Sequence, residues 1–433
     1  PQPPPNVIIL TIDTLRADHL GCYGYFRNTS PNIDAFAAES ILFERCIAPM
    51  ATTLPVHTSL FTGVWPFEHG AIANVKKDRK RYATTPHLKR AAQVFKEAGY
   101  RTAAIVSALP LKKTYGLKNG FKTYDDPKTP QRQGAKTTKL ALNWLREQPS
   151  DAPIFLWVHY FDPHGPFEAP EPYGSMFKSD EELEAHIAAR GFSETALRPT
   201  GKKNILRPGL NRYDGEIRYT DDQVGTLLNH LRSQESWDNT YFLLLADHGE
   251  SLNQHDQPGH GQSWNEQLHV PCILRIPGMD AGRNDSVISV VDLLPTLLSR
   301  LELESADDFL AQSTGVDVLT ADYESRPILS QSSERQEILG GQPNFSLTTT
   351  RWKSIITEDG QGLLFDLKQD PHELADLGEE RPEVLEKMRA HTLDMLRVMK
   401  QRGESLEAGK VVPLSEEDSK ALRSLGYLGD DDE

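Results

Sequence analysis

A short, almost wholly apolar run, NVIILTI at residues 6–12, is the feature that most constrains the fold of this chain. A run of this length predicts a strand that is buried on both faces, as in parallel sheets covered by helices. Two similar runs, PIFLWVHY at 153–160 and TYFLLLA at 240–246, follow, with helix-like segments between them. Strand and helix patterns alternate from residue 6 to about residue 300. The sequence therefore predicts an α/β fold with a large, mostly parallel sheet flanked by helices.

The pattern changes after residue 325. SLTTTRWKSIIT at 346–357 and GLLFDL at 362–367 indicate an antiparallel meander, and a helical pattern follows from Pro382. We therefore predict three parts, which are a catalytic domain at 1–325, a small C-terminal α+β subdomain with an antiparallel sheet at 326–405, and an acidic tail at 406–433.

Composition excludes some classes of protein. The chain has 433 residues, with 47 Lys and Arg against 62 Asp and Glu and a formal net charge of −15. This balance argues against a nucleic-acid binder, which needs a basic face. Three cysteines make no disulfide framework, and no apolar run approaches the roughly 18 residues of a membrane span. The Pro-rich opening, PQPPP, predicts a spacer behind an export signal and a periplasmic or extracellular location, with the cytoplasm as the alternative.

Polar residues follow three of the predicted strands. Asp13 ends the first, the segment from His159 to His164 ends another, and the Asp247-His248 pair ends a third. Sites in parallel sheets lie beyond the carboxyl ends of the strands. Two carboxylates and an imidazole at one edge make a mixed oxygen and nitrogen metal site. The hydroxyl of Thr53, in a turn before a helix, can complete that site and act as a metal-activated nucleophile.

Each of these signals also has an ordinary structural explanation. An Asp at a strand end commonly caps a helix, Asp-His-Gly forms turns, and a Thr before a helix is a common cap. Only the four segments taken together are specific.

Their order and content resemble the sulfatase family of the alkaline phosphatase superfamily, over about residues 5–400. The resemblance implies an alkaline-phosphatase-like fold, hydrolysis of esters and a divalent metal. The matching segments are NVIILTIDTLRADHLGCYG from residue 6, TLPVHTSLFTG at 53–63, DPHGPF at 162–167, and ADHGESLNQHDQPGHGQSWNEQLHVP from residue 246.

The chain departs from the family pattern at four positions. Thr53 replaces the signature Cys or Ser that becomes formylglycine, and His57 replaces the signature Arg. Thr14 replaces the second Asp of the opening pair, and His248 stands where many members have Asn. A site with fewer carboxylates and one imidazole favours zinc or manganese over calcium, with iron or calcium as alternatives, and one or two ions.

Carried over residue by residue, the resemblance implies a set of site residues. The metal ligands are Asp13, Thr53, Asp247 and His248. Thr53 is the nucleophile, and the catalytic and substrate-facing residues with it are His57, His164 and His260. Arg16 has two alternatives, since it faces the substrate or bridges to an acid behind the site. Structural roles are expected for His69, His159 and His269. For Asp162 and His255, a structural role and a functional role are both open.

The function favoured by these residues is hydrolysis of a phosphate diester or phosphonate monoester through a covalent Thr53 intermediate. A sulfated Thr lacks the aldehyde-hydrate route by which formylglycine expels sulfate, so we expect slow sulfate turnover. The alternatives are a sulfatase, a transferase of phosphoryl substituents and a non-catalytic anion-binding protein. The expected substrate is a small-molecule ester or a glycan or lipid head-group ester, with specificity from the insertions at 110–135 and 172–211. The sequence carries no signal for the oligomeric state.

Overall fold

The computed structural model of the chain describes residues 3–75, 80–82, 84–149, 152–197, 203–333, 343–406 and 412–424. The strands in this part are β1 (Asn6–Ile12), β2 (Ile41–Ile47), β3 (Lys80–Arg81), β4 (Arg101–Ile105), β5 (Thr123–Asp125), β6 (Ile154–Tyr160), β7 (Thr195–Leu197), β8 (Lys203–Ile205), β9 (Thr240–Ala246), β10 (His269–Arg275), β11 (Gly282–Ser289), β12 (Ile328–Gln331), β13 (Asn344–Thr348), β14 (Trp352–Thr357), β15 (Gly362–Asp366) and β16 (Val412–Pro413). The α-helices are α1 (Pro31–Ala38), α2 (Thr53–Thr62), α3 (Pro66–His69), α4 (Ala91–Glu97), α5 (Gly134–Arg146), α6 (Glu181–Ala188), α7 (Leu206–Arg232), α8 (Asn265–Leu268), α9 (Leu293–Leu301), α10 (Asp307–Gln312), α11 (Pro382–Ser405) and α12 (Glu416–Ser424).

An eight-stranded sheet forms the centre of the molecule, with the order β11-β2-β10-β9-β1-β6-β4-β5. β1 lies between β9 and β6 and is parallel to both, and all its residues after Asn6 are buried. Helices α1, α5 and α7 pack together as one group, and α2, α4, α9 and α10 pack as another. The predicted α/β fold with a large, mostly parallel sheet flanked by helices is confirmed.

The sheet is mixed at one side, which the sequence patterns did not show. β10 is antiparallel to both β9 and β2, while β11 runs parallel to β2. Neither β2 nor β11 was predicted, because ILFERCI places two charged residues within the strand and three of the first four residues of GRNDSVIS have low strand propensity. Their tertiary pairing overrides the local preference.

The Thr85-Pro86 pair is by itself a typical helix start, but the helix that follows it, α4, begins only at Ala91. The Arg90 guanidinium donates to the Thr84 hydroxyl and to the Thr85 carbonyl, so these residues serve as acceptors in a turn. The backbone N–H of Arg90 donates to Gln93 Oε1 at 3.0 Å, which fixes the helix start there.

A second sheet of four antiparallel strands, β12-β13-β14-β15, lies within residues 326–405 together with α11. The independence of this region as a subdomain stays a prediction. Residues 407–411 and 425–433 of the predicted acidic tail, and residues 198–202 of the insertion at 172–211, lie outside the described part. Among the described helices, none is long and apolar enough to cross a membrane.

The turn after β6 is held by two buried acids. Asp162 Oδ2 accepts the N–H of Gly134 at 2.8 Å, and Glu216 Oε1 accepts the N–H of Glu168 at 2.6 Å. Burial raises the pKa of Asp162 to about 6. Burial, with the charge of Asp162, raises the pKa of Glu216 to about 8. The two acids therefore fix the segment that carries His164.

We expect the stability of the protein to fall between about pH 4.3 and about pH 8 in a way that depends on Glu216. In this window the unfolded chain has already released the Glu216 proton, while the folded chain retains it, so rising pH favours unfolding. Glu216→Gln should flatten this part of the curve, measured by urea denaturation at a series of pH values. Glu182→Gln, at an exposed carboxylate of α6, is the matched control. An unchanged slope in Glu216→Gln would contradict the assignment.

Candidate active site

Two carboxylates lie side by side at the carboxyl ends of neighbouring strands. The register pairs Ile12 of β1 with Ala246 of β9, so Asp13 and Asp247 follow at the same edge of the sheet. Both side chains are buried. Asp247 Oδ1 accepts the N–H groups of Thr14 at 3.2 Å and His248 at 2.8 Å. Asp247 Oδ2 and both oxygens of Asp13 have no hydrogen-bond partner among the described residues.

The imidazole of His248 points a lone pair at these carboxylates. Its Nδ1 lies 3.0 Å from the carbonyl oxygen of Gly249, and a carbonyl can only accept, so Nδ1 carries the proton. Nε2 is therefore unprotonated, and it lies 3.7 Å from Asp13 Oδ1 and 3.5 Å from Asp247 Oδ2. Burial lowers the pKa of His248 to about 3, which keeps the ring neutral.

The three side chains fit a divalent cation. One ligand atom from each of Asp13, Asp247 and His248 lies within 4.8 Å of the others. Burial raises the pKa of Asp13, with the charge of Glu250 adding to the effect, and burial with the charge of Asp13 raises the pKa of Asp247. Buried, unpaired carboxylates are costly unless they are paired or bind a metal. A cation with a preference for oxygen and imidazole ligands satisfies all three groups.

Thr14 has a strained backbone beside this group. Its φ is 53°, in the left-handed region that a β-branched residue rarely adopts. The strain is held by two contacts, since Thr14 N–H donates to Asp247 and its carbonyl accepts the hydroxyl of Tyr213 at 2.7 Å. Thr14 Oγ1 is buried with no hydrogen-bond partner in the described residues. Strain of this kind clusters at functional sites.

Thr53 is the first residue of α2, whose residues are all buried. The preceding Thr52 is extended and makes no side-chain capping bond, while the next N–H, of Leu54, donates to Asn74 Oδ1 at 2.8 Å. At its other end, α2 stops at Gly63, whose φ of 70° suits glycine. The Thr53 hydroxyl is buried and has no partner within the described structure. A hydroxyl left free at a helix N-terminus is suited to an anionic group.

His57 lies between Thr53 and the carboxylate of Asp247. Its Nδ1 donates to the Thr53 carbonyl at 2.8 Å and lies 3.7 Å from Asp247 Oδ2, while Nε2 lies 3.1 Å from Thr11 Oγ1. Both ring nitrogens are therefore engaged, and the ring is fully buried. Its predicted contact with substrate stays a prediction.

His159, expected to be structural, lies in the site. Its Nε2 is 3.6 Å from Asp13 Oδ2, and its ring is 5.1 Å from that of His57. The register pairs His159 of β6 with Thr11 of β1, two residues before Asp13. The sequence pattern placed His159 at the end of a central strand, but a structural role was expected for it because a lone strand histidine is commonly a core residue.

Two further imidazoles border the group. The ring of His260 lies 4.4 Å from that of His248 and 5.2 Å from that of His164. His164 Nδ1 donates to the Gly165 carbonyl at 2.7 Å, and its ring stacks on Phe161 at 4.4 Å. Glu250 Oε2 lies 3.6 Å from His260 Nδ1. The structure thus places His164 and His260 near His248, on its side of the candidate metal site of Asp13, Asp247 and His248.

Arg16 is buried behind the site. Its guanidinium makes two 2.8 Å hydrogen bonds to Asp18 and one of 3.0 Å to Gln254, and it also donates to the carbonyls of Glu250 and Ser251. This arrangement corresponds to the second alternative, a bridge to an acid. Of the remaining histidines, His69 contacts Ser59, His269 donates to a backbone carbonyl, and His255 stacks on Trp264.

Known proteins resemble this chain in sequence and in fold. Residues 5–303 match the family model described as Sulfatase. The uncharacterized sulfatase YidJ of Escherichia coli (strain K12) is 24% identical over 429 residues, which cover 86% of this chain and 83% of that protein. The solved structure of yidJ from Bacteroides fragilis has a TM-score of 0.76 at 18% identity and covers 94% of this chain and 98% of its own.

A third similar protein has a different named activity. The phosphonate monoester hydrolase of Agrobacterium radiobacter has a TM-score of 0.71 at 21% identity, covering 92% of this chain and 96% of that structure. These two structural likenesses establish the alkaline-phosphatase-like fold, and the family model covers more than half of the chain. The chain belongs to the sulfatase family, whose members hydrolyse esters with the help of divalent metals.

Proposed function

We propose that this sulfatase-family hydrolase cleaves phosphate esters, with phosphate diesters or phosphonate monoesters as its preferred class, and that Thr53 is its nucleophile. The observation that carries the proposal is the Thr53 hydroxyl, an unmodified alcohol that is buried at the start of α2 with no partner in the described residues. An alcohol forms a phosphoryl ester that water can hydrolyse. Its sulfate ester has no comparable internal route for expelling sulfate.

The candidate metal site, formed by Asp13, Asp247 and His248, would activate the nucleophile in this proposal. Asp13, Asp247 and His248 would hold a divalent cation together with the Thr53 hydroxyl. That cation supplies positive charge to the reacting group and lowers the pKa of the hydroxyl. Two carboxylates with one imidazole favour zinc or manganese, with iron and calcium as the alternatives.

The covalent chemistry divides between Thr53 and the imidazoles. The Thr53 hydroxyl gives its proton to one of these imidazoles, and its oxygen forms a bond to phosphorus as the bond from phosphorus to the leaving oxygen breaks. We assign two roles to His164 and His260, which are to bind the transferred group and to donate a proton to the leaving oxygen. A water molecule then cleaves the phosphothreonine, which restores the Thr53 hydroxyl and releases the product. The substrate in this proposal is a small-molecule, glycan or lipid head-group ester.

Sulfate ester hydrolysis is the second candidate. The names of the relatives support it, since YidJ of Escherichia coli is called a sulfatase. The phosphonate monoester hydrolase supports the first candidate, because the fold of that protein matches 92% of this chain. Neither name decides between the two, so the reaction must be measured.

We expect the metal-loaded protein to turn over an aryl phosphate diester or phosphonate monoester faster than the matched sulfate ester. Thr53→Ala should lower the favoured rate by about a thousandfold or more, because it removes the nucleophile. Acid quenching followed by mass spectrometry should find a phosphoryl adduct on the peptide that contains Thr53.

Thr52→Ala is the matched control, since this neighbouring hydroxyl makes no capping bond, and its rate should stay within a fewfold of the wild type. A sulfate ester that is fastest and depends on Thr53 would establish the second candidate instead. Turnover that survives in Thr53→Ala would remove Thr53 as the nucleophile in either case.

A second expectation concerns the choice of metal. Thr14→Asp should raise the affinity for Ca²⁺ relative to Zn²⁺ by about tenfold, because it adds a hard carboxylate ligand beside Asp13 and Asp247. Asp also tolerates the left-handed backbone at this position better than Thr. Competition binding followed by calorimetry measures the ratio. Thr14→Asn supplies nearly the same shape without the charge, and equal ratios in the two variants would show that position 14 does not face the metal.

A further inference from the structure

One histidine outside the candidate metal site, His255, lies where a loop closes on itself. The loop runs from residue 255 to residue 266 and carries His260 near its middle. Its ends meet, because the His255 ring stacks on Trp264 with ring centres 3.9 Å apart and an interplanar angle of 3°. His255 Nδ1 also lies 3.3 Å from Glu266 Oε1. Side chains therefore join the two ends of a compact surface loop of the Ω type.

Glu373, in the segment between β15 and α11, holds both ends of this loop. Its carbonyl accepts Nε2–H of His255 at 3.2 Å, and its carboxylate accepts the N–H of Asn265 at 2.7 Å. The other carboxylate oxygen pairs with Lys353 of β14 at 2.6 Å, and both side chains of this ion pair are fully buried. The second sheet therefore anchors both ends of the loop through Glu373.

The partners of the His255 ring determine its protonation state. The Glu373 carbonyl can only accept, so Nε2 carries a proton. Nδ1 faces the Glu266 carboxylate, which accepts as well, so Nδ1 carries a second proton and the ring is an imidazolium. The largely buried cluster then balances two cations against two carboxylates, which are His255, Lys353, Glu266 and Glu373.

The charged groups that face His255 favour this state. Burial lowers the pKa of His255, but the hydrogen bond to Glu266 and the charges of Glu266 and Glu373 outweigh it and raise the pKa above its ordinary value. The stacked indole of Trp264 adds a face that attracts a cation. His255 therefore keeps its second proton to a pH above about 6.5, the ordinary pKa of histidine.

The insertion at 172–211 also reaches this end of the loop. The Gly191 carbonyl accepts the backbone N–H of His255 at 3.4 Å, and the Ser193 hydroxyl donates to the carboxylate of Asp256. His255 and Asp256 have left-handed backbones, with φ of 52° and 58°. Such a backbone persists only where its surroundings hold it. The shape of the loop therefore depends on the contacts of His255.

We infer that His255 is a positioning residue that closes this loop as an imidazolium and so holds His260 beside His248, and that the loop loosens when His255 loses its second proton. The inference rests on the proposed function only through the role of His260, whose ring lies 4.4 Å from that of His248. As pH rises, Nδ1 loses its proton and turns a lone pair towards the Glu266 carboxylate. One buried negative charge is then unbalanced. The stabilisation is complete below about pH 6.5 and is lost above it.

The first test is the titration of His255 in the full chain without any ester, followed by NMR with labelled histidine and assigned with His255→Gln. We expect a midpoint above about pH 6.5. Glu266→Gln keeps the shape and removes the charge, so it should lower the midpoint by about one unit or more. A wild-type midpoint below about 6.5, or an unchanged midpoint in Glu266→Gln, would overturn the inference. A failed assignment of Thr53 as nucleophile leaves these results unchanged, so the two proposals fail separately.

The second test is the order of the loop, measured by hydrogen exchange of peptides within residues 255–266 in the same full chain. After correction for intrinsic exchange, protection in the wild type should fall about tenfold between about pH 6 and about pH 9. His255→Arg keeps a planar cation with donors for both acceptors, so its protection should change by less than about threefold. His255→Gln has no charge and should be weakly protected at both pH values.

His391→Gln, at an exposed histidine of α11, is the matched control and should behave as the wild type. Glu266→Gln covers the case in which a His255 variant does not fold, since its loss of protection should begin at a lower pH than in the wild type. Protection that does not depend on pH in the wild type, or the same pH dependence in Glu266→Gln, would contradict the clamp.

The link to catalysis is the pH dependence of kcat with whichever ester turns over fastest. In the wild type, kcat should fall on the alkaline side with the midpoint of the His255 titration, while His255→Arg should keep its rate within about threefold to about pH 9. An alkaline fall that is identical in the wild type and in His255→Arg would show that the order of the loop does not govern His260, and would overturn that part of the inference.

Discussion

The burial of two unpaired carboxylates at the ends of neighbouring strands is the constraint on which the site depends. The pairing of β1 with β9 places Asp13 and Asp247 at one edge, and the covering helices exclude water from them. Burial is the main reason why the pKa of both carboxyl groups is raised, and the charge of Glu250 adds to the effect at Asp13, as the charge of Asp13 does at Asp247. A cation relieves the repulsion and the desolvation together. Thr14 and His248 lie next to these carboxylates, Thr14 through its N–H to Asp247 and His248 through its Nε2.

Backbone groups determine what each surrounding imidazole can do. His248 and His57 both donate Nδ1–H to a backbone carbonyl. The Nε2 of His248 then keeps a lone pair facing the carboxylates, whereas the Nε2 of His57 is taken up by the Thr11 hydroxyl. His159 accepts from a backbone N–H and so presents its other nitrogen protonated. The neutral, fully engaged His57 adds no positive charge beside Thr53.

The second sheet stabilises the segment that carries His260. In the loop after His248, four non-glycine residues have left-handed backbones, which are Leu252, Asn253, His255 and Asp256. Arg16 ties this loop to the first strand end, and His255 ties it to Glu266 and to the carbonyl of Glu373. Glu373 in turn forms a fully buried ion pair with Lys353 of β14 at 2.6 Å. The strained loop is therefore held from both sheets, which explains how its geometry persists.

The sequence by itself determined the fold class, the strands that carry Asp13 and Asp247, and the family, because buried parallel strands and the four motifs are local patterns. It did not determine β2 or β11, nor the antiparallel direction of β10, because these depend on pairing between strands rather than on local pattern. It also left His159 as a structural residue and Arg16 between two roles. Only the tertiary structure shows His159 against Asp13 and Arg16 bound to Asp18. The physical reason is that the proton, partner and direction of a polar side chain depend on groups that folding brings to it, and no local pattern records them.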